Sequence, residues 1–287
     1  MGEMKLARFS LDNEISFGLI KDQGLIDFSK INIPYKSLQD IIESGKEALE
    51  IIDQLCVEKS VHYDLSQVTL LAPIPRPGKF LAIGMNYKKH EEEANRLGVE
   101  KRSHQTWFNK QITCVNDPFG TIDPGVTQKL DYEVELGVVI GKKSKNLTVK
   151  NVRDSIFGYL VVNDVSARDW QFHTPTFTMG KSFDTHGPIG PWIVTRDEIK
   201  DPQKLDLRCY VNGELRQSNN TSQMIHSIND QLIYLSTAFT LEPGDIIATG
   251  TPEGVGVAME PQVFLQDGDI VRCEIEDIGI IENRVSV

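Results

Sequence analysis

From Lys5 to about Lys30 the apolar positions fall in short runs, Lys5-Leu-Ala-Arg-Phe, Ile15-Ser-Phe-Gly-Leu-Ile and Gly24-Leu-Ile-Asp-Phe, separated by Asp12-Asn13-Glu14 and Asp22-Gln23-Gly24. Runs of that length between turn-forming residues predict a β-meander. The spacing then becomes helical. Ser37-Leu-Gln-Asp40 offers a capping-box-like start with Leu38, Ile41 and Ile42 on one side, and a second helix follows Gly45 with Leu49, Ile52 and Leu55. Ala72-Pro-Ile-Pro-Arg-Pro-Gly78 stiffens the backbone and predicts a boundary. It divides a small N-terminal domain, 1–72, from residues 79–287, with 73–78 as linker.

Beyond the linker the chain reads mostly as strands. Lys79-Phe-Leu-Ala-Ile-Gly84 is a buried-type strand, and Met85 to Leu97 has helical composition, with Tyr87, His90, Ala94 and Leu97 in one inward stripe. Asp131 to Gly141 alternates strictly: Tyr132, Val134, Leu136, Val138 and Ile140 share one face, and Asp131, Glu133, Glu135, Gly137 and Val139 the other. Asn212-Gly213 marks a hairpin between Leu207-Arg-Cys-Tyr-Val and Glu214-Leu-Arg. A helix over about Met224 to Phe239 buries Ile225, Ile228, Leu232 and Leu235. Glu242 to Gly256 runs a strand into a glycine-rich loop that lacks the lysine of a nucleotide-phosphate loop, and two strands close the chain.

The carboxylates carry the chemistry. Glu133 and Glu135 sit two residues apart on one face of a strand, where they repel unless a positive charge lies between them. A solvated sheet face would also accommodate them. Asp164 ends the apolar run Phe157 to Asn163, and if that strand lies beside the first, three hard oxygen ligands converge in a manner suited to Mg²⁺, Mn²⁺ or Ca²⁺. Lys181 follows a glycine among apolar residues and needs a negative partner: a metal-site carboxylate, an anionic substrate, or Asp169 or Asp184. Glu93, three residues after His90, is placed to orient its imidazole as a general base requires, though Glu93 also stands at ion-pair spacing from Lys89.

Composition narrows the partners. A formal net charge of -11 over 287 residues argues against nucleic acid and anionic membrane. No run of about 20 apolar residues predicts a membrane span. Cys56, Cys114, Cys209 and Cys273 form no C-x-x-C pair, so buried thiols and a cytoplasmic setting are expected.

Six segments, Gly84-Met-Asn-Tyr-Lys-Lys-His-Glu-Glu-Glu93, Asp131-Tyr-Glu-Val-Glu-Leu136, Asn163-Asp-Val-Ser-Ala-Arg-Asp169, Gly180-Lys-Ser-Phe-Asp184, Leu241-Glu-Pro-Gly-Asp245 and Thr249-Gly-Thr-Pro-Glu-Gly-Val-Gly256, closely resemble the fumarylacetoacetate hydrolase family and occur in its order. The resemblance implies a β-rich α+β fold, a mixed β-sandwich roll behind a small meander-and-helix domain. It also implies homodimers and a divalent cation, with a 2-oxo or 2,4-dioxo acid as substrate. It gives Glu133, Glu135 and Asp164 as metal ligands, His90, Glu93 and Lys181 as catalytic groups on or facing a lid, and Arg168, Gln171 and Thr251 as substrate contacts. Asn109-Lys110-Gln111 and Gly256-Val257-Ala258 depart from the family pattern and are expected to line the distal pocket. The presence of His90 with Glu93 favours hydrolysis of a C–C bond in an acylpyruvate; isomerisation or tautomerisation of related enols, oxaloacetate decarboxylation and non-catalytic binding are the alternatives.

Overall fold

The computed structural model describes residues 4–99 and 103–287. A large mixed sheet runs through the molecule. Its neighbouring strands, from one edge to the other, are Tyr63–Asp64, Gly24–Asp27, Glu14–Lys21, Lys5–Leu11, Gly187–Thr195, Ile156–Asn163, Val134–Ile140, Ile246–Ala248, Phe80–Gly84 and Thr106–Lys110. The N-terminal meander is thus hydrogen-bonded into the same sheet, through Lys5 opposite Val194 and Leu6 opposite Ile193.

Alternation in the central strand, Val134–Ile140, decides what lies on each side. Val134, Leu136, Val138 and Ile140 pack with Leu207, Val271, Ile275 and Ile281 of a second, four-stranded sheet, and with Leu232 and Leu235 of the helix Ile228–Ala238. Val139 faces the opposite layer, which holds Phe80, Leu160, Ile246 and the apolar sides of the helices Leu38–Ser44 and Lys46–Cys56. A β-rich sandwich with helices at its margins follows. Both faces of the central strand are therefore covered, and every residue from Val134 to Ile140 is buried. The second face is dry, not solvated, which makes any carboxylate on it conspicuous.

Three boundaries differ from the sequence pattern, each for a local reason. The alternating stretch breaks after Asp131: Leu130–Asp131 pairs with Ser166–Ala167, and the long strand restarts at Val134. Between them the N–H groups of Tyr132, Glu133 and Val134 donate to the side chains of Asp131, Asn163 and Gln217, so side chains replace the ladder there. The expected helix from Met85 spans Lys88–Arg96, and Leu97, just past its end, faces the same cavity as His90 and Ala94 but is 49% exposed. The later helix starts at Ile228, because Ser227 and Asp230 form a reciprocal capping box; Ile225 lies before it and is half-buried. Leu55, expected to face inward, is 38% exposed, while Ile52 and Cys56 take the buried positions.

Other local features follow the pattern. Asn212 and Gly213 have φ of 51° and 80° and join the strands Asp206–Val211 and Glu214–Asn220, as a type I′ hairpin turn requires. All four cysteines are free and buried. No helix among the described residues is long and apolar enough to cross a membrane.

Because Leu136 has no exposed surface and lies between the two sheets, Leu136→Ala is expected to lower unfolding free energy by about 2–5 kcal/mol. Urea denaturation measures it; a loss below about 1 kcal/mol would contradict the central packing role given to this strand.

Candidate active site and carboxylate cluster

The break after Asp131 releases Glu133 from the ladder while leaving it beside Glu135. Pairing of Val134 with Asn163 then sets Asp164, just past the neighbouring strand, against both. Carboxylate oxygens of Glu133, Glu135 and Asp164 lie within 4.8 Å of one another, all buried. This donor set, oxygen only and anionic, fits a hard divalent cation.

Cations surround the cluster on one side. Lys181 Nζ lies 2.9 Å from Glu133 Oε2 and 2.7 Å from Asp164 Oδ2. Lys110 Nζ donates to Asp164 Oδ1 at 2.5 Å. Arg168 donates from Nε to Asp131 Oδ2 at 2.8 Å, and its Nη2 lies 2.7 Å from Glu133 Oε1. Four buried carboxylates, those of Asp131, Glu133, Glu135 and Asp164, thus face three buried cations. One negative charge is left over, and it falls on Glu135, whose carboxylate accepts from the Gly250 N–H at 2.7 Å and, among the described residues, pairs with no ammonium or guanidinium.

The protonation equilibria follow this asymmetry. Burial alone would raise the Glu133 carboxyl, but Lys181 and then Arg168 hold it down to about 2. Burial, then the charges of Asp164 and Glu133, push Glu135 well above the ordinary carboxylate range. Burial opposes the charged form of Lys181, yet Asp164 and Glu133 overcome it and raise the ammonium's pKa. An added cation beside Glu135 would relieve the one uncompensated repulsion in the cluster.

Two glycines allow the approach. A Cβ on Gly180 would come within 2.3 Å of Gln171 Cα and 2.6 Å of Ala167 O, so only glycine lets the turn Thr178–Lys181 press against the turn Arg168–Gln171 and deliver Lys181. Gly250 has φ of 101°, and a Cβ there would meet Asn86 Cβ at 2.6 Å. Asn86 itself holds His226 and Thr249 by three hydrogen bonds, which ties the start of the helix Lys88–Arg96 to the glycine-rich loop.

That helix brings His90 to a cavity of about 270 Å³. His90 Nδ1 lies 3.2 Å from Glu93 Oε2, and Glu93 Oε1 accepts from the Gly254 N–H at 3.0 Å. The loop therefore fixes the carboxylate that orients the imidazole. Lys89 instead reaches Glu253, at 3.4 Å, so it does not take Glu93 as a partner. Glu133, Arg168, Gln171, Lys181 and Thr251 line the same cavity. Gln171 accepts from Arg168 Nη1 at 3.1 Å, while the Thr251 hydroxyl donates to Val134 O and accepts from Gln217 Nε2.

Residues 79–286 match the family model described as fumarylacetoacetate (FAA) hydrolase C-terminal. The chain belongs to the fumarylacetoacetate hydrolase family. A mitochondrial oxaloacetate tautomerase, Fahd2a of Rattus norvegicus, is 41% identical over 91% of this chain and 84% of its own. The fold is that of solved family structures. A fumarylacetoacetate hydrolase from psychrophilic Exiguobacterium antarcticum superposes with a TM-score of 0.84 at 37% identity, covering 99% of both chains. A maleylpyruvate hydrolase from Sphingobium sp. SYK-6, in complex with manganese(II) ion and pyruvate, gives 0.81 at 30% identity and 99% coverage of both. These relatives are enzymes by name, and this family member is an enzyme.

Structure and sequence pattern part company at several side chains. Lys181 pairs with neither Asp184 nor Asp169; Asp169 accepts from the Thr127 hydroxyl and the Gln128 N–H instead. Val257 and Ala258 line the cavity as expected, whereas Gly256, Asn109, Lys110 and Gln111 are not among the described lining residues, and Lys110 lies behind Asp164. Its inward direction was legible in the alternation of Thr106, Phe108 and Lys110 along one strand. Asp131, which holds the N–H groups of Gly256 and Val257 besides Arg168, carries no spacing signal that separates it from a surface aspartate.

With divalent ions stripped by chelator, the raised Glu135 pKa means that the folded chain keeps a proton that the unfolded chain releases. Stability should therefore fall as pH rises above about 4.5, the ordinary value for this carboxyl. Glu135→Gln is expected to flatten that slope and raise the urea midpoint at neutral pH. Identical slopes for the two proteins would show that Glu135 is not the strained charge.

Proposed function

We propose that this enzyme is a divalent-metal-dependent tautomerase of 2-oxo acids, interconverting the enol and keto forms. The observation that carries this reading is the likeness to the oxaloacetate tautomerase, at 41% identity across 91% of the chain, against 37% for the Exiguobacterium fumarylacetoacetate hydrolase and 30% for the maleylpyruvate hydrolase. Glu133, Glu135 and Asp164 would hold Mg²⁺ or Mn²⁺, which when bound supplies positive charge against the carboxylate and 2-oxo oxygens of the substrate and favours the enolate. The neighbour with manganese and the surplus charge at Glu135 both support such an ion.

The chain's own groups account for the rest. Arg168 and Gln171 orient the substrate's head group at the cavity wall. His90, held by Glu93, takes the proton from C3 in the keto-to-enol direction and returns it in the other, a role that needs a fixed ring nitrogen more than a charged one. Lys181 places a buried ammonium beside the developing oxyanion and keeps Glu133 ionised. The helix that carries His90 forms one wall of the cavity, through His90, Glu93 and Ala94. All four cysteines are buried thiols, which supports a reducing compartment.

A second reading, hydrolysis of an acylpyruvate, is favoured by the same His90–Glu93 pair, since an oriented base also activates water. One ultraviolet assay separates the two. With Mg²⁺ present, freshly dissolved enol-oxaloacetate should ketonise faster with enzyme than without, and acetylpyruvate should give no pyruvate. Release of pyruvate and acetate without enhanced ketonisation would replace the tautomerase by the hydrolase. His90→Ala should lower kcat by about 10²–10⁴-fold while Mg²⁺-induced thermal stabilisation persists. Unchanged kcat would remove His90 from proton transfer.

A further inference from the structure

We propose that the outer half of the cavity is a subsite for an aromatic substituent on C3 of the 2-oxo acid, formed by Phe108, Phe177 and Phe172. This rests on the 2-oxo acid reading above and names its substrate class. The three rings make a continuous series from the charged cluster to the surface. Lys181 Nζ lies 5.1 Å from the Phe108 ring centre. Phe108 and Phe177 meet edge to face at 6.0 Å and 72°, and Phe177 and Phe172 at 5.6 Å and 82°. Exposure rises along the series, 6%, 8% and 62%. All three line the cavity.

Phe177 is held there by its backbone. Its φ is 60°, the left-handed region that bulky residues rarely adopt. The Phe177 N–H donates to Thr174 O, and its carbonyl accepts from Gly180 N–H, within the turn that also delivers Lys181. One short segment therefore sets both the ring and the ammonium, fixing the distance between the head-group site and the aromatic wall. Leu97, Val99 and Val257 supply further apolar surface to the same cavity.

The described charged groups that line the cavity are paired with one another. The cations lining the cavity among the described residues are Arg168 and Lys181, with His90 the one titratable base. Arg168 is committed to Asp131, Glu133 and Gln171, Lys181 to Glu133 and Asp164, and His90 to Glu93. A phenyl group would bury apolar area against rings that favour edge-to-face contact, whereas a carboxylate set against those rings would lose water.

The test compares ketonisation of enol-phenylpyruvate and enol-oxaloacetate by the Mg²⁺-loaded enzyme. Wild type should favour phenylpyruvate by about tenfold or more in kcat/KM, and Phe177→Ala should erase most of that ratio, chiefly through KM for phenylpyruvate. Phe172→Ala, at an exposed position that folding does not depend on, should lower the same ratio and serves if Phe177→Ala fails to fold. A wild-type ratio of one or below, or a ratio that neither variant changes, overturns the subsite. If neither enol responds but acylpyruvates are cleaved, the tautomerase reading fails. The subsite is then decided by the kcat/KM ratio of benzoylpyruvate to acetylpyruvate, in each of which water adds at the distal carbonyl and the C–C bond breaks to give pyruvate and the carboxylate. A ratio of about tenfold that falls in Phe177→Ala supports it, and a ratio near one overturns it.

Discussion

Crowding of negative charge inside a dry sheet interface is the constraint on which the rest depends. Four carboxylates have lost their water, and each must find a positive group or a proton. Lys110, Lys181 and Arg168 answer for Asp131, Glu133 and Asp164. Removing one member of such a buried pair costs about 3–5 kcal/mol, so these side chains are fixed as firmly as the apolar core around them. Glu135 accepts from a backbone N–H and, among the described residues, pairs with no ammonium or guanidinium, so the structure concentrates its unmet electrostatic demand at one point.

The sheet had to be interrupted to bring this about. A strand continued through Tyr132 and Glu133 would have spent their N–H groups on a neighbouring strand; instead Asp131 and Asn163 accept them, and Gln217 accepts from the Val134 N–H. Asp131 does more than fill the gap. Its two oxygens also receive Arg168 and the N–H groups of Gly256 and Val257, so the same carboxylate that ends one strand positions the guanidinium and the far wall of the cavity. Gln217 likewise accepts from Val134 and donates to Thr251. Strands and loops are thereby locked together by side chains, not by ladder bonds.

Much of this was legible in the chain. The alternation from Tyr132 to Ile140 correctly sorts the central strand into the two layers it separates, because a fixed period of two leaves no freedom once one face is buried. The hairpin at Asn212-Gly213 was readable because few residue pairs accept two positive φ angles. What failed to show were partners distant in sequence. Lys181 chooses carboxylates 48 and 17 positions away over the nearby Asp184, since strand pairing, not chain proximity, determines which charges share a low-dielectric space. Lys110 and Asp131 escaped for the same reason. A helix end such as Arg96 depends on capping and on whether Leu97 finds a covered surface, and neither is written in the spacing.

The division of the cavity into a charged inner end and an aromatic outer wall explains how one fold serves several reactions. Ketonisation, isomerisation and C–C cleavage all place negative charge on the same head-group oxygens, so the carboxylate cluster and its cations need not differ among them. Differences must arise where the substrate's other end lies and where water is admitted. In this chain the cavity is bounded, besides its aromatic wall, by two segments outside the central sheet: the helix bearing His90 and Glu93, and the loop through Gly254 and Val257. They are joined to each other by the Gly254 N–H on Glu93 and by the Lys89–Glu253 pair. A change in either segment would shift His90, Glu93 and the apolar side chains Leu97 and Val257 together while leaving the charged cluster intact, which is how reaction type could change without loss of the fold.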